Sequence, residues 1–395
     1  MKVTSKSSKF SASTVHLEHI TTALNCVTPF GGKAFILTYI DADGLSFIGT
    51  YNRVVRIQLF LSKELFISYT YENDSSDHTK FCVRINQVLD SVNVANRNID
   101  DIVECTLSHN GEGSPFVLIF EDSYISERVT HETFLANEMD NTGFDLDRDR
   151  IRFECMIKGD ILHTALKDLK EIGGQDECYL YAELREGGQN IFAIISKSKL
   201  GLSKIVLPSA KTILEKLEVF DEDFTTLCYG KPVIALFDFN LFDKLRMSIK
   251  ISSKVLLRLD AHGVLNVNVL SLTEDILLSS NKSKATSSNS RLQLPKDYPG
   301  IVIELSLMEK EITDENSMRD VEIFMETNEL GEPIKPVIYK KKIVGSISSA
   351  PTNAAISREL GKLNGTANAQ DAEIEGEHAI QEEAPFMSNG LPRFF

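Results

Sequence analysis

Along the run KGDILHTALKDLKEIG, Lys158 to Gly173, apolar residues return every three or four positions. At about 3.6 residues per turn, Ile161, Leu162, Ala165, Leu166, Leu169 and Ile172 share one side of a helix. Lys167 faces the other way, flanked by His163 and Lys170. The same spacing recurs in Leu17, Ile20, Leu24 and Val27, in Ile85, Val88, Leu89 and Val92, and over Asn240 to Ile249, where Phe242, Leu245 and Ile249 form the apolar side. After each helix the period shortens to that of strands broken by a turn. The first helix leads into AFILTYIDADGLSFI, turning at Asp41 to Gly44, and the second into DDIVECTLSHNGEGSPFVLIFED, turning at Asn110 to Gly113. The third leads into DECYLYAELREGGQNIFAIIS, turning near Gly187 and Gly188, and the fourth into SKVLLRLDAHGVLNVNVL, turning near His262 and Gly263. A helix with one hairpin cannot bury its own apolar face, so the copies are predicted to join in shared sheets with helices on one side, an α+β fold.

The copies fall into pairs. YISERVTHETFLANEMDNTGFDLDRDR separates the second from the third, and its polar, acidic later part is predicted to connect two similar domains. This divides the chain into a first domain (1–135), a connector (136–150) and a second domain (151–325). A last strand is expected in LQLPKDYPGIVIELSLME, after a Ser/Asn/Lys-rich loop at 279–290. From 326 to 395 the chain is rich in Glu, Ala, Asn, Gly and Ser and poor in apolar periodicity. That composition predicts a disordered acidic tail, since too little surface can be buried to offset chain entropy.

With 395 residues and 42% hydrophobic content the chain can form sizeable cores. No apolar run approaches the ~20 residues of a membrane span, and the start MKVTSKSSKF has no apolar signal region. A cytosolic or nuclear protein without membrane contact is expected. Cys26, Cys82, Cys105, Cys155, Cys178 and Cys228 are scattered without a C-x-x-C pair, so buried thiols are expected rather than a metal site or disulfides. The formal net charge of −15 argues against binding nucleic acid over the whole surface, yet the solvated side of the third helix is basic. On the fourth, Lys244 and Lys250 point away from the apolar side and Arg246 sits at its edge. The first two helices show mainly Glu18, His19, Thr22, Gln87 and Asp90, with Arg84 and Arg97 at the margins.

These stretches carry a resemblance. Two domains of two helix-plus-hairpin units joined by an acidic connector resemble the DNA sliding clamp PCNA, and KGDILHTALKDLKEIG resembles the first helix of that clamp's second domain. FSASTVHLEHITTAL, DDIVECTLS, SPFVLIFEDSYISERV and QLPKDYPGIVIE resemble the Rad-seventeen/Rad-one branch of the checkpoint clamp, the PCNA-like heterotrimer called nine-one-one. The similarity covers roughly Phe10 to Glu309.

The resemblance implies a PCNA-like clamp fold with helices lining a ring through which double-stranded DNA passes, at damage or at borders with single strands. It makes His163, Lys167, Lys170, Lys244, Arg246 and Lys250 DNA-facing, with ordinary solvated cations as the alternative. It implies two other clamp subunits as partners, joined through the strands Ser114 to Glu121 (Ser114, Phe116, Leu118, Phe120) and Ile191 to Ser198 (Ile191, Ala193, Ile195). It also implies a separate ATP-dependent loader, no cofactor, a nuclear location and a role in DNA-damage and meiotic checkpoint signalling. The competing reading is a metal-dependent 3'-5' DNA exonuclease, using the carboxylate pairs Asp41/Asp43, Asp100/Asp101 and Glu121/Asp122. Asp41-Ala42-Asp43-Gly44 is turn chemistry, however, and no base or third ligand can be named, so neither catalytic nor metal-binding residues are assigned. No Gly-rich phosphate loop is present. In the tail, Lys340 to Lys342 could act in nuclear import or be plain solvated charge. Leu391, Phe394 and Phe395 resemble a PCNA-interacting peptide without its Gln, which implies docking on another clamp; an idle terminus is the alternative.

Overall fold

Alternating apolar and polar residues fold the two halves of the chain into the same order of elements. The computed structural model describes residues 8–30, 35–73, 79–95, 103–135, 143–172, 175–198, 201–272, 299–313 and 315–324. The first half runs β1 (Ser8–Thr14), α1 (Leu17–Val27), β2 (Phe35–Ile40), β3 (Gly44–Tyr51), β4 (Val55–Ser62), β5 (Ser68–Asn73), β6 (Thr79–Arg84), α2 (Ile85–Ala95), β7 (Glu104–His109), β8 (Phe116–Glu121) and β9 (Ser126–His131). The second repeats it: β10 (Ile151–Lys158), α3 (Gly159–Ile172), β11 (Gln175–Glu183), β12 (Ile191–Ser198), β13 (Gly201–Leu207), β14 (Leu214–Val219), β15 (Val233–Asp238), α4 (Phe239–Lys244), α5 (Arg246–Lys250), β16 (Lys254–Asp260), β17 (Val264–Leu272) and β18 (Pro299–Met308). A final helix, α6 (Glu315–Phe324), follows.

The four anticipated hairpins are all present, with their turns where the glycines stand. Gly111, Gly113, Gly187, Gly188 and Gly263 adopt positive φ, which only glycine enters without cost. The anticipated fourth helix is broken: α4 and α5 meet at Leu245, whose N–H bonds to the Phe242 carbonyl in a tighter turn. Asp238 starts α4 by accepting from the Asn240 and Leu241 N–H groups. Strands β1, β4, β5, β6, β9, β10, β13, β14 and β15 and helix α6 have no counterpart in the periodicity reading. Ile172 is 46% exposed rather than core, and Cys82 and Cys228 are only half-buried.

Three antiparallel sheets result. A nine-stranded sheet runs β14-β10-β16-β17-β18-β4-β3-β2-β6 and crosses from one half to the other where β18 pairs with β4. The remaining strands form a five-stranded sheet, β5-β1-β7-β8-β9, and a four-stranded sheet, β13-β12-β11-β15. At the β18–β4 seam Ile301, Ile303, Leu305 and Leu307 face the helices beside Leu61, Leu59, Ile57 and Val55, all at most 1% exposed. Their burial contributes about 1.5–3 kcal/mol per side chain before ordering costs. Helices α1, α2, α3 and α5 pack as one layer, α1 against α2, α3 against α5, and α1 against α5.

The four-stranded sheet also has a buried outer side. Tyr179, Tyr181, Ala193, Ile195, Ile234 and Leu236 pack with Ile312 and with Val321 of α6. Asp320 fastens that helix, accepting from Lys197 and from the Tyr179 hydroxyl.

His109, at the end of β7, is buried against the Phe81 ring at 4.3 Å between centroids. Burial lowers its pKa from 6.5 to about 4. The unfolded chain therefore takes up this proton near pH 6.5 while the folded chain resists until about 4, so stability falls as pH drops through that window. Thermal unfolding should show a smaller loss between pH 7.5 and 4.5 for His109→Phe than for the parent. An equal loss would remove His109 as its source.

Candidate nucleic-acid interface

The α3 and α5 helices bring the anticipated cations onto one surface. Burial first, then the positive charges of Arg246, Lys250 and Lys167, hold His163 below its usual pKa, so these groups are close enough to interact. Lys167 and Lys250 are exposed, and among the described residues Lys167 pairs with exposed Glu171 at 3.5 Å, a contact weak in water. The other cations are engaged within the chain. Asp243, mostly buried, accepts from Lys170 and forms an ion pair with Arg246, Nε to Oδ1 2.9 Å. Lys244 Nζ lies 3.5 Å from the centre of the Tyr51 ring and lowers that phenol's pKa.

The outward charge of this surface therefore rests chiefly on Lys167 and Lys250. Helices α1 and α2 contain no Lys or Arg, so the basic strip belongs to the second half. Arg84 lies over the Phe35 ring at 4.9 Å instead of joining it. The i,i+3 spacing of Asp243 and Arg246 on the fourth helix was the signal for that pair, whereas Lys170 with Asp243 and Lys244 with Tyr51 meet across different elements and leave none in a single helix.

The strands anticipated as joining edges require correction. β8, with Ser114 just before it and Phe116, Leu118 and Phe120 within it, is paired on both sides, by β7 and β9. β12, with Ile191, Ala193 and Ile195, lies between β11 and β13. Their side chains are apolar because they are interior strands: Phe116, Leu118, Ala193 and Ile195 are 0% exposed. One strand further out, opposite the end strands β5 and β15, the sheets end on that side at β9 and β13. Both are less apolar, which hid them in a search for strongly β-prone runs. Val94 near the end of α2 and Ile172 at the end of α3 are each 46% exposed, at the two flanks of the helix layer.

The carboxylate pairs are occupied by turn contacts. Asp41 accepts from the N–H groups of Asp43 and Gly44, and Asp43 pairs with Lys63 at 3.3 Å. Asp122 accepts from the Tyr124 and Ile125 N–H groups, and Glu121 from the Ser126 hydroxyl. Asp100, Asp101, Arg97 and the tail residues Lys340 to Lys342, Leu391, Phe394 and Phe395 lie outside the described residues, as does the loop 279–290. On the outer side of the β18–β4 seam is a cavity of about 190 Å³, lined by Arg56, Gln58, Phe144, Asp145, Glu304 and Ser306. Arg56 crosses it to Asp145 at 3.2 Å.

Comparison with known proteins decides the family. The model of the repair proteins Rad1/Rec1/Rad17 matches residues 9–271. The chain belongs to this family. Its relatives include the DNA damage checkpoint control protein RAD17 of Saccharomyces cerevisiae, 53% identical over 404 residues and covering 100% of both chains. The protein of the same description in Eremothecium gossypii is 50% identical over 319 residues, 81% of each chain. Among solved structures, a chain of a PCNA2-PCNA3 complex from Sulfolobus tokodaii superposes with a TM-score of 0.54 at 15% identity, over 76% of this chain and 99% of that one. PCNA from Thermococcus kodakaraensis gives 0.53 at 12% identity, over 76% and 100%. This Rad1/Rec1/Rad17 family member has the PCNA-like clamp fold.

Proposed function

We propose that the chain is a non-enzymatic subunit of a closed, three-membered checkpoint clamp, loaded on double-stranded DNA at damage or at single-strand junctions to support checkpoint signalling in the nucleus. The observation that carries this reading is the repeat of element order. β9 takes the place in the first half that β18 takes in the second, and β13 takes the place of β4. Since β18 pairs with β4 inside the chain, β9 and β13 are left to pair with the corresponding edges of other subunits. A five-stranded sheet joined to a neighbour's four-stranded one matches the nine strands of the internal sheet. Val94 and Ile172 supply the helix-side contact at these joints. The repeat also supports two clamp domains divided at 136–150.

In such a ring the α3 and α5 surface faces DNA, and Lys167 and Lys250 meet phosphate without reading sequence. Opening the ring falls to an ATP-dependent loader, since no phosphate-binding loop occurs in the sequence. Leu391, Phe394 and Phe395 of the tail would dock on another clamp, as their likeness to a PCNA-interacting peptide implies. Co-expression with candidate clamp subunits, followed by sizing and negative-stain imaging, should give closed three-membered rings. Absence of any mixed assembly would overturn the proposal.

The nuclease alternative makes a contrary forecast. Purified protein with Mg²⁺ or Mn²⁺ and labelled single-stranded DNA should show no degradation that follows the protein peak. Activity abolished by Asp41→Ala with Asp43→Ala, in a variant that still melts cooperatively, would revive it.

A further inference from the structure

The internal seam sets a register for the joints between subunits, and that register bears on which chains can join. Phe116↔His131 and Glu121↔Ser126 in the first half correspond to Leu265↔Leu307 and Leu270↔Val302 in the second, so β9 matches Val302 to Leu307 residue for residue. Tyr51↔Val55 and Leu45↔Leu61 correspond to Ser198↔Gly201 and Phe192↔Leu207, so β13 matches Val55 to Leu61. Inside the chain the central pairs are Ile303↔Leu59, Glu304↔Gln58 and Leu305↔Ile57. Transferred to two copies of this chain, they become Glu127 opposite Ile205, Arg128 opposite Lys204, and Val129 opposite Ser203.

That self-pairing fails on both sides of the sheet. On the side toward the helices, the internal seam sets aliphatic against aliphatic. Two copies would set a carboxylate against Ile205 and a hydroxyl against Val129, removing polar groups from water without a partner. On the outer side the internal seam sets Glu304 against Gln58, whereas two copies would place two cations directly across a strand pair, at a separation of about 5 Å between Cβ atoms. Lys204 is held at this position, its Nζ 4.6 Å from the centre of the Tyr181 ring. Arg128 is exposed on β9.

We propose that Glu127, Arg128, Ser203 and Lys204 exclude a second copy of this chain from both edges and select neighbours whose edge strands carry an acidic residue opposite Arg128 and opposite Lys204. This inference rests on the ring reading above. A variant carrying Glu127→Leu, Ser203→Leu and Lys204→Glu would pair Leu with Ile205, Glu with Arg128, and Val129 with Leu, making the edges complementary to each other. Sedimentation of the variant alone should show self-association at least tenfold tighter than the parent, ending in three-membered rings. Adding Arg128→Glu should restore repulsion and reverse most of that gain, less so as salt rises. If the triple variant does not melt cooperatively, Lys204→Glu alone and with Arg128→Glu provide the same comparison.

The proposal is overturned if the parent self-associates as tightly as the variant, if the variant stays monomeric, or if Arg128→Glu makes no difference. A parent that still forms mixed rings in those cases leaves the ring reading standing. Failure of mixed assembly by the parent would instead remove the reading itself.

Discussion

Introducing a carboxylate at Val129 or at Ile205 should each break one joint of the assembled ring and leave the other intact. Val129 stands where Leu305 stands inside the chain, and Ile205 where Leu59 stands; both of those internal residues are 0% exposed at the β18–β4 seam. An unpaired charge buried at such a site costs about 3–5 kcal/mol, a weakening of more than a hundredfold. Val129→Asp should therefore lose the subunit that pairs with β9 and keep the one that pairs with β13. Ile205→Asp should do the reverse. Sizing of co-expressed subunits would show two different two-membered complexes, with thermal melts confirming that each variant is folded. Normal yields of three-membered ring from both would refute the assignment of these edges.

A second large effect is expected on DNA retention. Reversing both Lys167 and Lys250 to Glu should weaken retention of the assembled ring by one to two orders of magnitude, roughly, at low salt, because every phosphate left without its cation lowers the salt slope by about 0.9. Lys170→Glu and Arg246→Glu should act differently. They place a second negative charge beside Asp243 of α4, already the partner of both cations, and so should loosen the attachment of α3 and α5 to α4 and lower the melting temperature. Ring assembly should survive the Lys167/Lys250 pair. Retention unchanged at low salt, with assembly intact, would refute the placement of DNA against these helices.

The helices and hairpins were legible because their apolar residues obey a single local period, and the glycines mark turns that need positive φ. The edges were not legible for a related reason. The most apolar strands, such as β8 and β12, are covered on both sides, whereas β9 and β13 keep polar residues on open backbones that a lone chain must hold in water. The candidate wall was half legible: periodicity assigns Lys167 and Lys250 outward, but only tertiary packing brings Asp243 to Lys170 or the Tyr51 ring to Lys244. Helix α6 escaped notice because its buried side depends on Tyr179 and Lys197, more than a hundred positions away.

The continuity of the nine-stranded sheet has a mechanical corollary. Prising the two halves of one chain apart would require unzipping the β18–β4 ladder along its full length together with the aliphatic side chains it covers. Each chain should accordingly move as a stiff arc under load. Within the proposed ring, compliance is concentrated at the joints, where shorter and more polar strands meet without a covalent link. A loader that pulls on the ring would then work against one such joint as a gate, using the chain as a lever.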